Sequence, residues 1–190
     1  MEGALRSITM FAATTLAVGS LFAAGGAEAQ SRARTLADGR TLIIPVSIAN
    51  CRLAGVTTET AAELALEFAC QAPSEEGGPN DTPGEAALVV LGQAAAAVSP
   101  EAFLNGQLET WWPGMDAASR ASNITRPRKA TANGEVALVC VHRDDVAALA
   151  GDAVCVVDQP GLQVVVAGRS TMALTADNVI DTLLKGVTLR

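Results

Sequence analysis

The sequence is poor in the residue types that most catalytic sites need. It has no tyrosine and a single histidine, His142, which stands two residues before Asp144. Nucleophilic catalysis needs a nucleophile, a base and a group that orients the base. No Gly-x-Ser-x-Gly motif occurs, and the stretch from Gly168 to Met172 does not supply one. The composition therefore leans against an enzyme, and we interpret His142 as a polar residue at a strand end.

Aromatic residues are scarce as well. Beyond residue 29 the sequence has four of them, which are Phe68, Phe103, Trp111 and Trp112. A carboxylate-dependent hydrolase stays open as a minor alternative, although a sugar cleft would be expected to carry more aromatic side chains. The acids of the loop predicted over 72–85 lack the EF-hand order of calcium ligands. We expect no metal and no cofactor.

Positive charge is the third shortage. Thirteen basic residues face 20 acidic ones, a formal net charge of −7, which argues against a nucleic-acid partner. Glycine patterns that cradle phosphates or dinucleotides are absent. The charge is also segregated, since ten acids and no base lie between Arg52 and Arg120.

The N-terminus has the pattern of a secretory signal peptide over residues 1–29. An apolar stretch runs from Ile8 to Ala24, and the sequence Ala27-Glu28-Ala29 fits the rule of small residues at a cleavage site. The stretch is short for a membrane span, but a retained anchor stays as an alternative. We expect cleavage near Ala29, no membrane span afterwards, and a secreted, periplasmic or cell-envelope location.

Four cysteines follow the leader, and an even number in an exported chain predicts two disulfides. Three pairings are possible. If the strand candidates 135–142 and 152–158 form a hairpin, Cys140 lies directly opposite Cys155, within disulfide reach. This favours the sequential pairing, which also joins Cys51 to Cys70. A zinc site is disfavoured because no Cys-x-x-Cys is present.

Residues 58–70 have the apolar period of a helix. Ala61, Leu64 and Phe68 form the apolar face of this helix, and Glu63 lies on the face expected to be exposed to solvent. On this helical wheel Cys70 falls with the glutamates, which predicts a disulfide at the end of the helix. A second helix is predicted from Ser99 as cap and Pro100 at the first position, and a last one over 176–185.

These elements together predict an α+β fold in a single domain over 40–190. We expect one antiparallel sheet of about five strands, covered by two or three helices and held by two disulfides. Strands 135–142, 152–158 and 162–167 form a meander in this prediction. Residues 30–39 are expected to be a flexible mature N-terminus, and 109–133 to be a long loop.

The C-terminal run from Cys155-Val-Val-Asp158 through Gly168-Arg169-Ser170 to a helix near Leu184 has a resemblance. It resembles a module of many exported actinobacterial proteins, in which a Cys, an Asp, a strand, an Arg and an amphipathic helix follow one another. The resemblance covers about a quarter of the chain, with Val156 where the module usually has Trp. An upstream cysteine, here Cys140, commonly precedes the module. The resemblance implies export and a disulfide.

One segment combines the only tryptophans with the densest positive charge, and it follows no clear period. If the protein has an interaction surface, we expect it there. The candidate residues are Trp111, Trp112, Arg120, Arg126, Arg128 and Lys129. The alternative interpretation is that a tryptophan fills one end of the core and the basic residues belong to a solvated loop.

The functional hypothesis from sequence is an exported protein without catalytic activity that binds a partner in the cell envelope or outside the cell. A small carrier of an apolar ligand is the alternative, because an Ala/Val/Leu core could enclose one. The sequence identifies neither the partner, which we expect to be a protein or another envelope component, nor the oligomeric state.

Overall fold

The computed structural model describes residues 31–48, 50–72, 82–91, 98–116, 118–119, 123–145, 150–170 and 173–190. The predicted leader and the loop residues 73–81 lie outside this range. The described strands are β1 (Ser31–Thr35), β2 (Thr41–Pro45), β3 (Ser47–Ile48), β4 (Cys51–Glu59), β5 (Glu63–Ala72), β6 (Thr82–Leu91), β7 (Ile124–Thr125), β8 (Arg128–Thr131), β9 (Gly134–Asp145), β10 (Ala150–Val157), β11 (Val164–Ser170) and β12 (Thr188–Leu189). The described helices are α1 (Pro100–Trp111) and α2 (Ala173–Leu184).

The fold is mostly β, so the prediction of an α+β domain with about five strands is wrong. More than half of the described residues lie in strands, which form a curled nine-stranded sheet and a separate three-stranded sheet. The larger sheet has the order β3-β4-β5-β6-β11-β10-β9-β7, with β8 also paired to β9. The smaller sheet has the order β1-β2-β12. The strands outnumber the prediction because one long strand, β5, has the apolar period of a helix and several other strands are short.

The helix predicted over residues 58–70 is replaced by the end of β4 and most of β5. Leu64, Leu66 and Phe68 are buried while Glu67 is exposed, which is the alternation of a strand. Positions 64 and 68 are four residues apart, so they fit a helical stripe and one strand face equally well. Leu66 distinguishes the strand from the helix, because on a helix it would lie on the side opposite positions 64 and 68, whereas in the structure it is buried with them.

Both disulfides join directly opposed residues of neighbouring strands. Cys140 of β9 faces Cys155 of β10 in the register predicted from sequence, with Cα atoms 4.1 Å apart. Cys51 of β4 faces Cys70 of β5 at the same Cα distance. The favoured sequential pairing is therefore present. Cys70 is only 4% exposed, so it faces the core, whereas the predicted helix would have placed it on the solvent-exposed face.

The two helices pack on opposite faces of the nine-stranded sheet. We call the face that carries both disulfides the inner face, and α2 packs on it through Val179, Ile180 and Leu183. Helix α1 packs on the outer face, where it covers valines of β9, β10 and β11. The side chains buried there are Phe103, Leu104 and Leu108 of α1 and Trp112, which follows the helix directly. The two faces thus carry two separate apolar cores.

Two glycines allow α2 to approach the inner face closely. A Cβ atom at Gly168 would lie 2.5 Å from the carbonyl oxygen of Ala176 and 2.9 Å from a carbon of Ile180. A Cβ atom at Gly84 would lie 2.5 Å from a methyl carbon of Val179. Only residues without a side chain fit at these two positions, so the spacing between helix and sheet depends on them.

The C-terminal half agrees best with the sequence. The meander predicted over 135–167 is present as β9, β10 and β11, and α2 falls where the last helix was predicted. Helix α1 begins as predicted, with Pro100 in its first turn and the Ser99 hydroxyl accepting a hydrogen bond of 3.2 Å from the Ala102 N–H. The loop predicted over 109–133 contains the end of α1 and the strands β7 and β8.

Residues 31–35, which the sequence predicted to be part of a flexible N-terminus, form β1 and pair with β2. The guanidinium group of Arg32 contacts the Glu59 carboxylate at 2.6 Å. Arg34 donates to the carbonyl oxygens of Thr60 and Ala61 at 2.7 and 2.6 Å. These partners lie more than 25 residues along the chain, and a local pattern cannot reveal them.

Strand β4 is irregular along its outer side. Strand β3 pairs only with Cys51 and Arg52, so the rest of β4 has no neighbour on that side among the described strands. The register of β4 against β5 shifts twice, between Leu53 and Gly55 and again between Val56 and Thr58. These shifts are β-bulges, which twist a strand locally and interrupt its ladder of hydrogen bonds.

Candidate functional site

A groove of about 260 Å³ runs between helix α1 and the outer face of strands β4, β5 and β6. It exists because α1 lies over β9, β10 and β11 and leaves part of the outer face open. The floor consists of Ala65, Ala87 and Val89, whose small side chains leave room above the sheet. The result is a concave, partly apolar surface next to a helix.

The helical wall of the groove is formed by Gln107, Thr110 and Trp111. These three residues lie on one flank of α1, spaced three and four residues apart. Trp111 is 37% exposed, whereas the neighbouring Trp112 is 4% exposed and belongs to the outer core. An aromatic side chain that is accessible within a concave surface offers a large apolar contact area and an indole N–H to a ligand.

The opposite side of the groove carries two glutamates of β5. Glu63 and Glu67 lie on the outer face with Ala65 between them, because side chains two residues apart share a face of a strand. The Glu67 carboxylate extends over β4 next to Gly55, where no side chain occupies the space. In the part of the chain that the structure describes, neither carboxylate is bound by a basic side chain.

A row of charged residues crosses the outer face beyond the groove. Glu85, Arg169, Asp152 and Arg143 lie opposite one another on β6, β11, β10 and β9. The Arg169 Nε atom is 2.8 Å from Asp152, and this hydrogen bond raises the pKa of the guanidinium. Arg143 lies 5.7 Å from the centre of the Trp112 ring, a cation–π distance. The cations of Arg169 and Arg143 thus have partners outside the groove.

The residues predicted to form one interaction surface lie in several places. Trp111 borders the groove and Trp112 is buried under α1. Arg126 binds Glu101 on the other flank of α1, and Asp158 at 3.0 Å. Arg120 lies outside the described residues. The other two residues, Arg128 and Lys129, lie on β8, where Arg128 is exposed.

Lys129 joins a cluster of charges on the inner side of the sheet. Its amino group lies 2.8 Å from Asp181 and 3.7 Å from Asp177, both on α2. The Nε2 atom of His142 lies 3.1 Å from Asp177, although the ring N–H is not aimed along a straight hydrogen bond. Contact with His142, and then the charge of Lys129, lowers the pKa of Asp177 against the opposing effect of burial.

This cluster joins elements of the fold. Strands β8 and β9 supply Lys129 and His142, and successive turns of α2 supply the carboxylates. The lysine fills the position between the carboxylates, and no group of His, Cys, Asp and Glu side chains suited to a metal ion occurs among the described residues. Of the acids considered for calcium, Glu75, Glu76 and Asp81 lie outside the described residues, and Glu85 is exposed on β6.

Sequence reasoning missed the groove because it assigned its β5 side to a helix. The signal that could have revealed it is the alternation of Glu63, Ala65 and Glu67 with three buried apolar residues. No local sequence pattern reveals the position of α1 on the sheet, because that position depends on the valines of β9, β10 and β11 that the helix covers.

Comparison of the chain with protein-family models, with curated proteins and with solved structures finds no match. No described helix has the length and apolar character needed to cross a bilayer. The two disulfides indicate an oxidising environment.

Proposed function

We propose that the protein is exported and acts by binding a partner in the groove between α1 and strands β4–β6, without catalysing a reaction. The observation that carries the proposal is the exposed ring of Trp111 inside this concave surface. Tryptophan is enriched among the residues that dominate binding energy, and small pockets next to such residues are typical of binding sites.

Two features support export. The leader over residues 1–29 has the pattern of a cleaved signal peptide, with processing near Ala29. Two disulfides on buried, directly opposed strand positions require an oxidising compartment to form and persist. Both support a secreted, periplasmic or cell-envelope location, as does the resemblance of the C-terminal quarter to exported proteins.

The two groove carboxylates project from one face of a single strand. Glu63 and Glu67 are four residues apart on one strand, which places their Cα atoms about 13 Å apart at roughly 3.3 Å per residue. The pair is therefore spaced to contact two separate groups of a ligand.

Site-specific photo-cross-linking tests the proposal. A photoreactive amino acid replaces Thr110 in the groove wall, and in a control protein it replaces Asn105, which is exposed elsewhere on α1. In the native host we expect a discrete adduct from position 110 that is absent from position 105 and is lost when Trp111→Ala is added. No adduct, or equal adducts from both positions, would refute a binding role for the groove.

Native mass spectrometry addresses the carrier alternative. A protein that binds a partner in an open groove should be purified without a bound small molecule. A lipid that co-purifies, and that Trp111→Ala does not displace, would contradict the proposal in favour of an apolar ligand carrier.

A further inference from the structure

We propose that the groove binds an extended polypeptide segment with basic residues four positions apart and an apolar residue midway between them. The inference rests on the proposed binding function and names the chemistry of the partner. It follows from the spacing of two carboxylates, from the floor between them and from the position of one tryptophan.

The spacing of Glu63 and Glu67 along β5 matches that of side chains in an extended peptide. Glu63 and Glu67 share the outer face of β5 and lie about 13 Å apart along it. An extended peptide has the same rise per residue, so its side chains at positions i and i+4 are about 13 Å apart and point the same way. Two arginines or lysines at that spacing can therefore reach both carboxylates at once.

The groove carries two carboxylates and no basic side chain among the residues that line it. Neither glutamate is bound by a basic side chain within the described part of the chain, and Glu67 extends over the open position at Gly55. The nearest row of charges already pairs Arg169 with Asp152. A cationic ligand is thus the complement of this surface, and the net charge of −7 for the whole chain adds long-range attraction.

The floor of the groove between the carboxylates is apolar. Ala65 lies midway between the glutamates, and Ala87 and Val89 continue the apolar floor beneath Trp111. A ligand side chain at position i+2 points at this floor when i and i+4 point at the carboxylates. The groove volume of about 260 Å³ accommodates one apolar side chain, and Trp111 lines it on the helical side.

The helical wall favours a peptide over a simple organic cation. Gln107 and Thr110 place amide and hydroxyl groups along the groove beside Trp111. Such groups suit the N–H and C=O groups of a peptide backbone, which must keep hydrogen bonds when they leave water. A polyamine would use the carboxylates alone and leave this wall without a partner.

Isothermal titration calorimetry of the purified exported protein with three probes tests the inference. The first is a blocked heptapeptide with arginine at its second and sixth positions, leucine at the fourth, and glycine or serine elsewhere. The second has the same composition with the arginines adjacent. The third is chitotriose, a neutral oligosaccharide.

We expect the first peptide to bind with a Kd below about 1 mM at low ionic strength, and the second to bind at least about fivefold more weakly. The double change Glu63→Gln and Glu67→Gln should weaken the first peptide about five- to tenfold, as expected for the loss of two exposed charge pairs. Glu135→Gln, the same charge change on the exposed β8–β9 hairpin, should leave it unchanged.

Equal binding of both peptides, no binding of either, or chitotriose binding that the two glutamine substitutions leave intact would overturn the inference. The cross-linking experiment keeps this outcome separate from the proposed function. An adduct from position 110 together with failure of the basic peptide leaves a binding groove whose partner has other chemistry.

Discussion

The Nε2 atom of His142 lies 3.1 Å from Oδ1 of Asp177, and this contact ties strand β9 to helix α2. Lys129 reaches the same helix from β8, 2.8 Å from Asp181. The single histidine of the chain is therefore part of a charge cluster that holds the helix to the sheet. This placement makes the stability of the fold depend on pH.

Asp177→Asn tests that dependence. The pKa of Asp177 is lowered in the folded state, so its carboxylate stabilises the fold above its ordinary pKa of 3.8, and this contribution disappears as pH falls through the lowered value. With 37% of the side chain exposed, we expect the substitution to lower the free energy of unfolding by roughly 0.5–1 kcal/mol near neutral pH. Urea unfolding should show this loss at about pH 5 and a smaller loss at about pH 2, where the carboxylate is becoming protonated. A loss of equal size at both pH values, or one matched by the exposed control Glu135→Gln, would contradict the assignment.

The close approach of α2 to the sheet makes Gly168 sensitive to substitution. The Cβ atom introduced by Gly168→Ala would lie 2.5 Å from the Ala176 carbonyl oxygen, so the helix must move. We expect a loss of about 1–3 kcal/mol, as is usual for overpacked sites. Gly106→Ala on α1 is the matched control, because nothing lies within 4 Å of its Cβ position. That change should stabilise the protein by about 0.5–1 kcal/mol. Thermal unfolding of both variants compares them, and similar effects would show that the steric argument is wrong.

The neighbouring tryptophans should differ in what they do for stability. Trp112→Ala removes a ring that is 4% exposed, and we expect a loss of about 3–5 kcal/mol. Trp111→Ala should change stability by less than about 1 kcal/mol while it abolishes cross-linking in the groove. Chemical denaturation measures both values, and aqueous acrylamide should quench the fluorescence of Trp111 and spare that of Trp112. A large loss of stability from Trp111→Ala would indicate a structural residue.

The two disulfides close loops of similar length, with sequence separations of 19 and 15. Replacing Cys51 and Cys70 together by alanine, or Cys140 and Cys155 together, should each lower the free energy of unfolding by about 3 kcal/mol in the chain-entropy model. Unfolding with and without a reductant measures the effect. If the reductant destabilised a double variant as much as the wild type, the remaining disulfide alone would account for the stability.

The sequence predicted the parts of the fold whose partners are close along the chain. In the β9–β10 hairpin a single register brings Cys140 opposite Cys155, and the chain between them is too short for another topology. The start of α1 was also predicted, because Ser99 and Pro100 act on the turn that follows them.

The prediction from sequence was wrong where one local pattern fits both a helix and a strand. Thr60 accepts hydrogen bonds from the backbone of Ala62 and Glu63, as a helix cap would, but in the structure these bonds close the β4–β5 hairpin. The residues paired with β5 lie 5 to 28 positions away along the chain, so much of the energy that selects a strand is tertiary. The groove could not be predicted for the same reason, because Ala65 lies between Glu63 and Glu67 on one face only when this segment is a strand.

The two bulges of β4 have a consequence for how this margin of the sheet meets another chain. A straight, unpaired edge would present a regular ladder to the same edge of another copy. The displaced residues between Leu53 and Thr58 interrupt this ladder twice, so a second chain cannot continue it in register. The irregular margin beside the groove thus makes edge-to-edge pairing of two copies less favourable.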